Sequence, residues 1–447
     1  MKSGANKKNH LSKKRIVMAI SGGVDSSVAA ALLKKQGYDI ICVFMKFWQD
    51  SNNKEKQTEN RCCSLESEKR ARQVAKILNV PFYVFNFEKE FKKKVVDYFL
   101  KEYKQGNTPN PCVVCNKEIK FGLLLEKALK LGADYVATGH YVKLRNTKEY
   151  EYTKTKNKKN SHIRPIRKTK LSNLAFEFNV LNLKEGLSNG IRKKFVFRSL
   201  IKAKDLNKDQ SYFLWQLNQK QLSHVLFPIG NYTKKEVRDL AKKFGLPTFE
   251  TPESQEICFV PTGTNDFLKK YLKTKPGKII DKEGNILGKH EGLHFYTIGQ
   301  RKGIDIIFSK KTPEEKPFYV IGKDIKKNVL IISQNEKNLL KKELTVKNVN
   351  WVSGVTPKLP LKVKAKIRYR SELALATIKK NPGTKTYSLK FNVAQKAITP
   401  GQSAVFYLFR RLVRRNPVFK RNEGGSFAKN GTKADASEEL IGGGIIK

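Results

Sequence analysis

Two hydrophobic periods alternate along the first third of the chain. Arg15 to Ile20, Asp39 to Lys46 and Pro81 to Phe87 are short, mostly apolar runs, whereas Val28 to Gln36 and Leu65 to Leu78 place apolar residues at helical spacing. A further helical stretch, Phe121 to Leu131, and the strand-like Asp134 to Ala137 continue the series, which ends in Thr138-Gly139-His140-Tyr141. Strands alternating with helices predict an α/β domain built on a doubly wound parallel sheet, with ligands at the carboxyl ends of its strands.

Beyond Val142 the periodicity dissolves. Between Lys143 and Arg198 there are sixteen Lys or Arg and four acidic residues, a composition expected to leave an unstructured insertion. Regularity returns at Lys208 to Leu214, followed by a helical Lys234 to Phe244 and an extended apolar piece at Ile257 to Val260, which together predict a small mixed α+β central domain. Short β-type runs follow: Phe318 to Ile321, Val329 to Ser333, Leu344 to Trp351, Leu361 to Tyr369, Leu373 to Ile378, Tyr387 to Phe391 and Ser403 to Tyr407. Many short strands without helices predict a C-terminal β-barrel. The expected division is a basic arm at 1–14, a nucleotide-binding domain at 15–200 with a basic insertion at 146–195, a central domain at 201–305, and a barrel at 306–447 with a second basic insertion at 408–436.

Charge adds a partner to this outline. Lys and Arg number 90 against 40 Asp and Glu, a formal charge of +50 that points to a polyanion. Basic runs are often only solvated, and a biased composition explains the two insertions as well as RNA binding does. No apolar run approaches the roughly 20 residues of a membrane span, and the N-terminus lacks the apolar core of a signal peptide. Six cysteines in so long a chain, two of them in a Cys-x-x-Cys, indicate a reducing, cytoplasmic setting with redox, metal or catalytic use of thiols.

The chemistry begins at Ser21-Gly22-Gly23-Val24-Asp25-Ser26-Ser27, between the first strand and the first helix. Paired glycines allow close backbone approach, and loop amides, the helix N-terminus and Ser hydroxyls hold phosphate oxygens. The bland alternative is an ordinary Gly-Ser turn capping a helix. The loop lacks the Gly-Lys-Ser/Thr of a Walker motif and is no Gly-x-Gly-x-x-Gly turn. Without a lysine for the β and γ phosphates, it suits attack at the α-phosphorus with loss of pyrophosphate, which is adenylation. Cys112-Val113-Val114-Cys115 lies just before a helical stretch that favours thiolate, though such a pair is also a metal half-site. Alternation in the extended Ile257-Cys258-Phe259 points the Cys258 side chain away from its neighbours, and inert core is the alternative there. No second Cys-x-x-Cys and no His at zinc spacing accompany them, which disfavours zinc.

The loop resembles the signature of the PP-loop ATP pyrophosphatases, and further stretches narrow the resemblance to the bacterial tRNA-specific 2-thiouridylases. They are Phe44-Met45-Lys46, Arg61-Cys62-Cys63-Ser64, Thr108 to Gly122, Thr138-Gly139-His140-Tyr141, Lys208 to Leu214, Glu253 to Phe259, Ile298-Gly299-Gln300-Arg301-Lys302-Gly303, Thr399-Pro400-Gly401-Gln402 and Gly442 to Ile446. The ordered set runs from about 15 to 446, with the two basic insertions unmatched. The resemblance implies a PP-loop fold and ATP-dependent 2-thiolation of a wobble uridine in tRNA, in which the C2 oxygen is adenylated and a protein persulfide then delivers sulfur as AMP leaves.

By position, the resemblance implies that Ala19, Ile20, Ser21, Gly22, Gly23, Val24, Asp25 and Ser26 hold ATP with its Mg2+, and that Met45 and Gly139 line the adenine side. Cys115 takes the place of the nucleophile and Cys258 that of the persulfide carrier. Asn110, Pro111, Cys112, His140, Lys208, Asp209, Gln210, Arg368, Tyr369 and Gln402 take positions of tRNA contacts, and the resemblance implies a tRNA-binding role for the central domain at 201–305, which holds Lys208, Asp209 and Gln210. Partners implied are tRNAs for Lys, Glu and Gln and a cysteine desulfurase or sulfur carrier.

One common form of the family has Asp where this chain has Cys112. A rival mechanism is therefore a [4Fe-4S] cluster on Cys112, Cys115 and Cys258. Of the other cysteines, Cys42 reads as buried strand filler and vicinal Cys62 and Cys63 as loop residues; His10, His162, His224, His290 and His294 read as surface or core. Two other functions compete, a PP-loop amide-forming ligase and a non-catalytic RNA-binding protein with a degenerate loop.

Overall fold

The computed structural model describes residues 13–49, 64–153, 162–165, 192–252, 257–260, 263–306, 316–411 and 436–447. The expectations placed on most of the basic arm, on His10, Arg61, Cys62 and Cys63, on Glu253 to Glu256, and on the middle of both basic insertions lie outside the described residues.

The chain opens as β1 (Arg15–Ala19), α1 (Val24–Lys35), β2 (Asp39–Lys46), α2 (Leu65–Ile77) and β3 (Phe82–Asn86). A helical run follows as α3 (Glu88–Phe91), a π-type segment at Lys92–Val96, and α4 (Asp97–Lys104). A second run comprises α5 (Pro111–Cys115), a π-type segment at Asn116–Leu123, and α6 (Leu124–Lys130) before β4 (Tyr135–Ala137). Strands β5 (Val142–Thr153), β6 (His162–Pro165) and β7 (Arg192–Lys202) precede α7 (Gln219–Leu222), β8 (Val225–Leu226), α8 (Lys234–Lys243) and α9 (Thr264–Tyr271).

The first sheet has the order β3-β2-β1-β4-β8 and its pairings are parallel. Ile16, Val17, Met18 and Ala19 are all buried, as strands covered by helices on both faces require. The chain leaves β3 at one edge and crosses back to β4, so strand order reverses between β1 and β4. That is the point in a doubly wound sheet where loops diverge and a ligand crevice opens.

The second half adds β9 (Gly277–Ile280), β10 (Ile286–His290), β11 (Tyr319–Asp324) and β12 (Val329–Ser333), which form a four-stranded sheet of order β10-β9-β12-β11. The remaining strands are β13 (Leu340–Trp351), β14 (Leu361–Lys366), β15 (Ala374–Lys380), β16 (Tyr387–Lys396), β17 (Ser403–Arg411) and β18 (Ala436–Ile446). They run in the order β13-β16-β15-β14-β17-β18, and pairing of β13 with β18 closes the barrel. Its interior is filled by alternate residues such as Val346, Val363, Ala365, Ile378, Leu389, Phe391 and Phe406.

Residues around the first insertion depart from the sequence reading. Its described flanks are ordered strands, and β7, β5 and β6 extend the barrel sheet from β18. Polar pairing explains why so basic a stretch pairs there. Glu439 is buried and takes a hydrogen bond from Ser199 and an ion pair from Arg145, while Glu438 bridges Lys202 and Lys364. The chain divides into two compact units: residues 1–143, 203–277 and 291–295 in one, and 144–202, 278–290 and 296–447 in the other. The described strands β5, β6 and β7 thus group with the barrel strands.

Candidate active site

The loop after β1 is shaped by internal contacts. Ser21 donates its backbone N–H to Ser26 Oγ at 3.2 Å, and the hydroxyls of Ser26 and Ser27 both bond Gly23 O, at 3.1 and 2.9 Å. Gly22 has φ +74°, and a Cβ there would lie 2.2 Å from the Ser67 carbonyl oxygen, so only glycine fits. Gly23, the N-cap of α1, brings no side chain to the helix start. The first-turn amides and the positive end of the helix dipole therefore face the loop.

The first turn of α2 supports the loop from behind. Ser64 caps that helix by accepting from Ser67 N, and Arg70 donates Nε to Gly22 O at 3.2 Å and Nη2 to Ser67 Oγ at 3.1 Å. Across the switch point, Gly139 is pressed against α1, since a Cβ there would sit 2.7 Å from Ser26 N. Met45, at the carboxyl end of β2, is buried. Asp25 Oδ1 accepts from Tyr141 Oη and from Lys234 Nζ, each at 2.7 Å. Arg70, Tyr141 and Lys234 are not singled out as site residues by the sequence; Tyr141 stands in the Thr138-Gly139-His140-Tyr141 stretch, but nothing local marks the other two.

His140 is buried among Phe121 and Phe227, with Nδ1 2.7 Å from Thr138 Oγ1. Burial, and secondarily the charge of Lys120, holds its pKa well below the usual imidazole range, so the ring is neutral. Gln210 is stitched to its neighbour: Gln210 N donates to Tyr141 O and Gln210 Oε1 accepts from Tyr141 N. Asp209 is buried and accepts from Ala203 N and Ser211 Oγ, which makes it the organiser of this turn. Lys208 is half-buried.

Two sequence expectations about the thiols are corrected. Cys112 and Cys115 are not placed ahead of a helix but inside α5, with Pro111 in its first turn and Asn110 as N-cap; Cys112 is exposed and Cys115 closes the helix, buried. Ile257 to Val260 is not extended but a turn, with Val260 N bonded to Ile257 O at 3.0 Å, so alternation does not orient the half-buried Cys258. The next residue, Phe259, anchors the turn by packing on Phe91, Phe99 and Phe267 at centroid distances of 5.7, 5.3 and 5.7 Å. Because α5 packs on the π-type segment at Lys92–Val96 and Phe259 on Phe91 and Phe99, the segments that carry Cys115 and Cys258 are both anchored on one helical run, Glu88 to Lys104. Cys42 is fully buried in β2, and burial pushes its thiol up to about 12, the behaviour of inert strand filler.

The π-type segment after Cys115 has its own support. Gln221 Nε2 donates to Phe121 O at 2.8 Å and Lys117 O at 3.3 Å, and Asn116 Nδ2 donates to Phe213 O at 3.2 Å. Among the described residues, no three His, Cys, Asp or Glu side chains gather closely enough to hold a metal ion.

Arg368, Tyr369 and Gln402 belong to the second unit. One Arg368 nitrogen donates to Ile298 O, Ala397 O and Thr399 Oγ1 at 2.7–2.9 Å, pinning the turn at Gly299 (φ +87°) to the Thr399-Pro400-Gly401-Gln402 segment. Lys366 Nζ lies 5.9 Å from the Tyr369 ring centroid. Gln402 O accepts from Ile446 N beside the C-terminus.

A family described as tRNA methyl transferase HUP domain matches residues 14–187 and 188–262. A tRNA methyl transferase PRC-barrel domain matches 265–334, and an aminomethyltransferase beta-barrel domain matches 341–413. The tRNA-specific 2-thiouridylase of Clostridioides difficile is 43% identical over 397 residues, 88% of this chain and 95% of that one. The chain belongs to the tRNA-specific 2-thiouridylase family. Its relative in Halothermothrix orenii is 44% identical over 396 residues, again 88% of this chain and 95% of that one, and one in Thermoanaerobacter sp. is 43% identical over 398 residues, 88% and 94%. The family assignment confirms the three-part architecture, with the PRC-barrel match spanning β9 to β12 and the beta-barrel match starting in β13. No helix among the described residues is long and apolar enough to cross a membrane.

Proposed function

We propose that this chain uses ATP to replace the C2 oxygen of a tRNA wobble uridine with sulfur. The observation that carries the reading is the glycine-lined loop at the sheet's switch point, with a thiol-bearing helix and a thiol-bearing turn anchored on one neighbouring helical run. The loop residues Ala19 to Ser26 cradle the triphosphate, accompanied by Mg2+ as its counter-ion, with Met45 and Gly139 beside the adenine. The uridine C2 oxygen attacks the α-phosphorus; an O–P bond forms, the bond to the β-phosphate breaks, and pyrophosphate leaves. That oxygen is now part of a good leaving group.

Cys258 carries the persulfide, loaded by a cysteine desulfurase or sulfur carrier. Its terminal sulfur attacks C2, the C2–O bond breaks and AMP departs, leaving a C2–S–S–Cys258 linkage. The Cys115 thiolate attacks the Cys258 sulfur, which frees the thiocarbonyl and forms a Cys115–Cys258 disulfide that a dithiol reductant reopens. Asn110, Pro111, Cys112, His140, Lys208, Asp209 and Gln210 form or support the uridine pocket. Neutral His140 offers its ring without competing for phosphate. Arg368, Tyr369 and Gln402 contact tRNA from the second unit, and tRNAs for Lys, Glu and Gln are the expected substrates. Methyl transfer, which the matching family's description mentions, has no use for a phosphate cradle or for two such thiols.

The ordered chemistry makes a test. Cys115→Ser and Cys258→Ser each abolish 2-thiouridine formation, while tRNA-dependent exchange between ATP and pyrophosphate persists, because adenylation precedes sulfur transfer. Mass spectrometry of tRNA nucleosides and an exchange assay read the two steps. Full 2-thiouridine from either variant removes the persulfide relay, and exchange that ignores tRNA removes the substrate.

A further inference from the structure

A triphosphate held only by amides and hydroxyls lacks a formal positive counter-charge from the protein, and Ser21 to Ser27 contains no lysine. It contains instead Asp25, an acidic residue in the first turn of α1. A carboxylate there suits the helix dipole but repels a polyphosphate. Packing of α8 on α1 answers that conflict from a distant part of the chain.

Lys234 is the first residue of α8, and its Nζ donates to Asp25 Oδ1 at 2.7 Å with the lysine side chain only 12% exposed. The same carboxylate oxygen accepts from Tyr141 Oη, and Lys234 Nζ lies 5.8 Å from the Tyr141 ring centroid. The ammonium is not placed casually. Lys234 N donates to Asp205 Oδ2 at 3.0 Å, and a reciprocal capping box between Thr233 and Glu236 fixes the helix start that carries it.

We propose that Lys234 is the polyphosphate-side cation of the ATP loop: it cancels the Asp25 charge at the cradle and pairs with the pyrophosphate portion of ATP as that group departs. An ammonium is a compact point charge able to serve two anions at once, so holding Asp25 and attracting phosphate are compatible. This rests on the loop binding ATP. A bridge that merely glued α8 to α1 would be indifferent to how many phosphates the nucleotide carries, and that difference is measurable.

Calorimetric titration of the full chain with ATP, AMP and inorganic pyrophosphate, on wild type, Lys234→Met, Lys234→Gln and Lys234→Arg, separates the cases. The expected result is that Met and Gln weaken ATP and pyrophosphate by roughly tenfold or more, the scale of one charge-assisted contact, leave AMP within about twofold, and that Arg recovers most of the loss. Gln keeps a donor to Asp25 without the charge, so it carries the comparison if the Met protein fails to fold. Equal weakening of ATP and AMP, or no change in either, overturns the proposal. Wild-type protein that binds no ATP sinks the ATP reading instead.

Discussion

His140 shows what one side chain reveals about its surroundings. Its place in Thr138-Gly139-His140-Tyr141 marked it as a site residue, but its protonation was not legible, because the rings that desolvate it come from Phe121 and Phe227. The buried ring is held neutral, its pKa pushed down first by burial and then by Lys120. A depressed folded-state pKa means that the unfolded chain binds the proton more readily. Stability is then fully present above about pH 6.5, the unfolded imidazole value, and falls as pH drops below it, by up to about 1.4 kcal/mol per pH unit. Denaturant titrations of wild type and His140→Gln between pH 7.5 and 5 check this. The variant is expected to lose less stability across that window, and parallel curves would show that His140 protonates as easily in the folded protein as out of it. His290 is also depressed by burial, so only the difference between the two proteins reports on His140.

Among the elements, legibility follows the range of the forces involved. The periods of β1, α1, β2 and α2 are local and were readable to within a few residues of their ends. The turn at Ile257 to Val260 was not, because four apolar-rich residues look the same in a strand and in a turn until Phe259 finds its partners. The π-type segment at Asn116–Leu123 was equally hidden: the carbonyls of Lys117 and Phe121 are met by Gln221, about a hundred positions away. Strands β5 and β7 were concealed by their lysines and arginines, whose partners Glu438 and Glu439 lie near the far end of the chain. Phe259→Leu tests the turn as an element. Removing three edge-on ring pairs costs about 1–2 kcal/mol of stability. It loosens the segment that carries Cys258, so 2-thiouridine formation slows while tRNA-dependent ATP–pyrophosphate exchange is unchanged. Equal losses in both assays would mean that the aromatic anchor holds the nucleotide loop and not the sulfur carrier.

At the scale of the molecule, charge decides how substrate arrives but not which base is chosen. A chain at +50 attracts any nucleic acid through its phosphates, and each phosphate it neutralises releases counterions. Affinity for tRNA is therefore expected to fall steeply with salt, by about 10³ or more between 50 and 200 mM if some six phosphates are engaged. Choice of the wobble uridine requires the base to leave its stack and enter the pocket, so that its C2 is exposed to the α-phosphorus and to sulfur in turn. The two contributions separate in one experiment. Replacing Arg414, Arg415, Lys420 and Arg421 of the second basic insertion with Gln is expected to flatten the dependence of log affinity on log salt, by roughly 0.7–0.9 for each phosphate that is no longer neutralised, and to raise KM for tRNA. The rate at saturating tRNA should not move, because the flipped base meets the same loop and thiols once it is bound. A salt slope equal to that of wild type would assign the electrostatic work to other basic residues of the chain, and a changed saturating rate would place these residues in the chemistry itself.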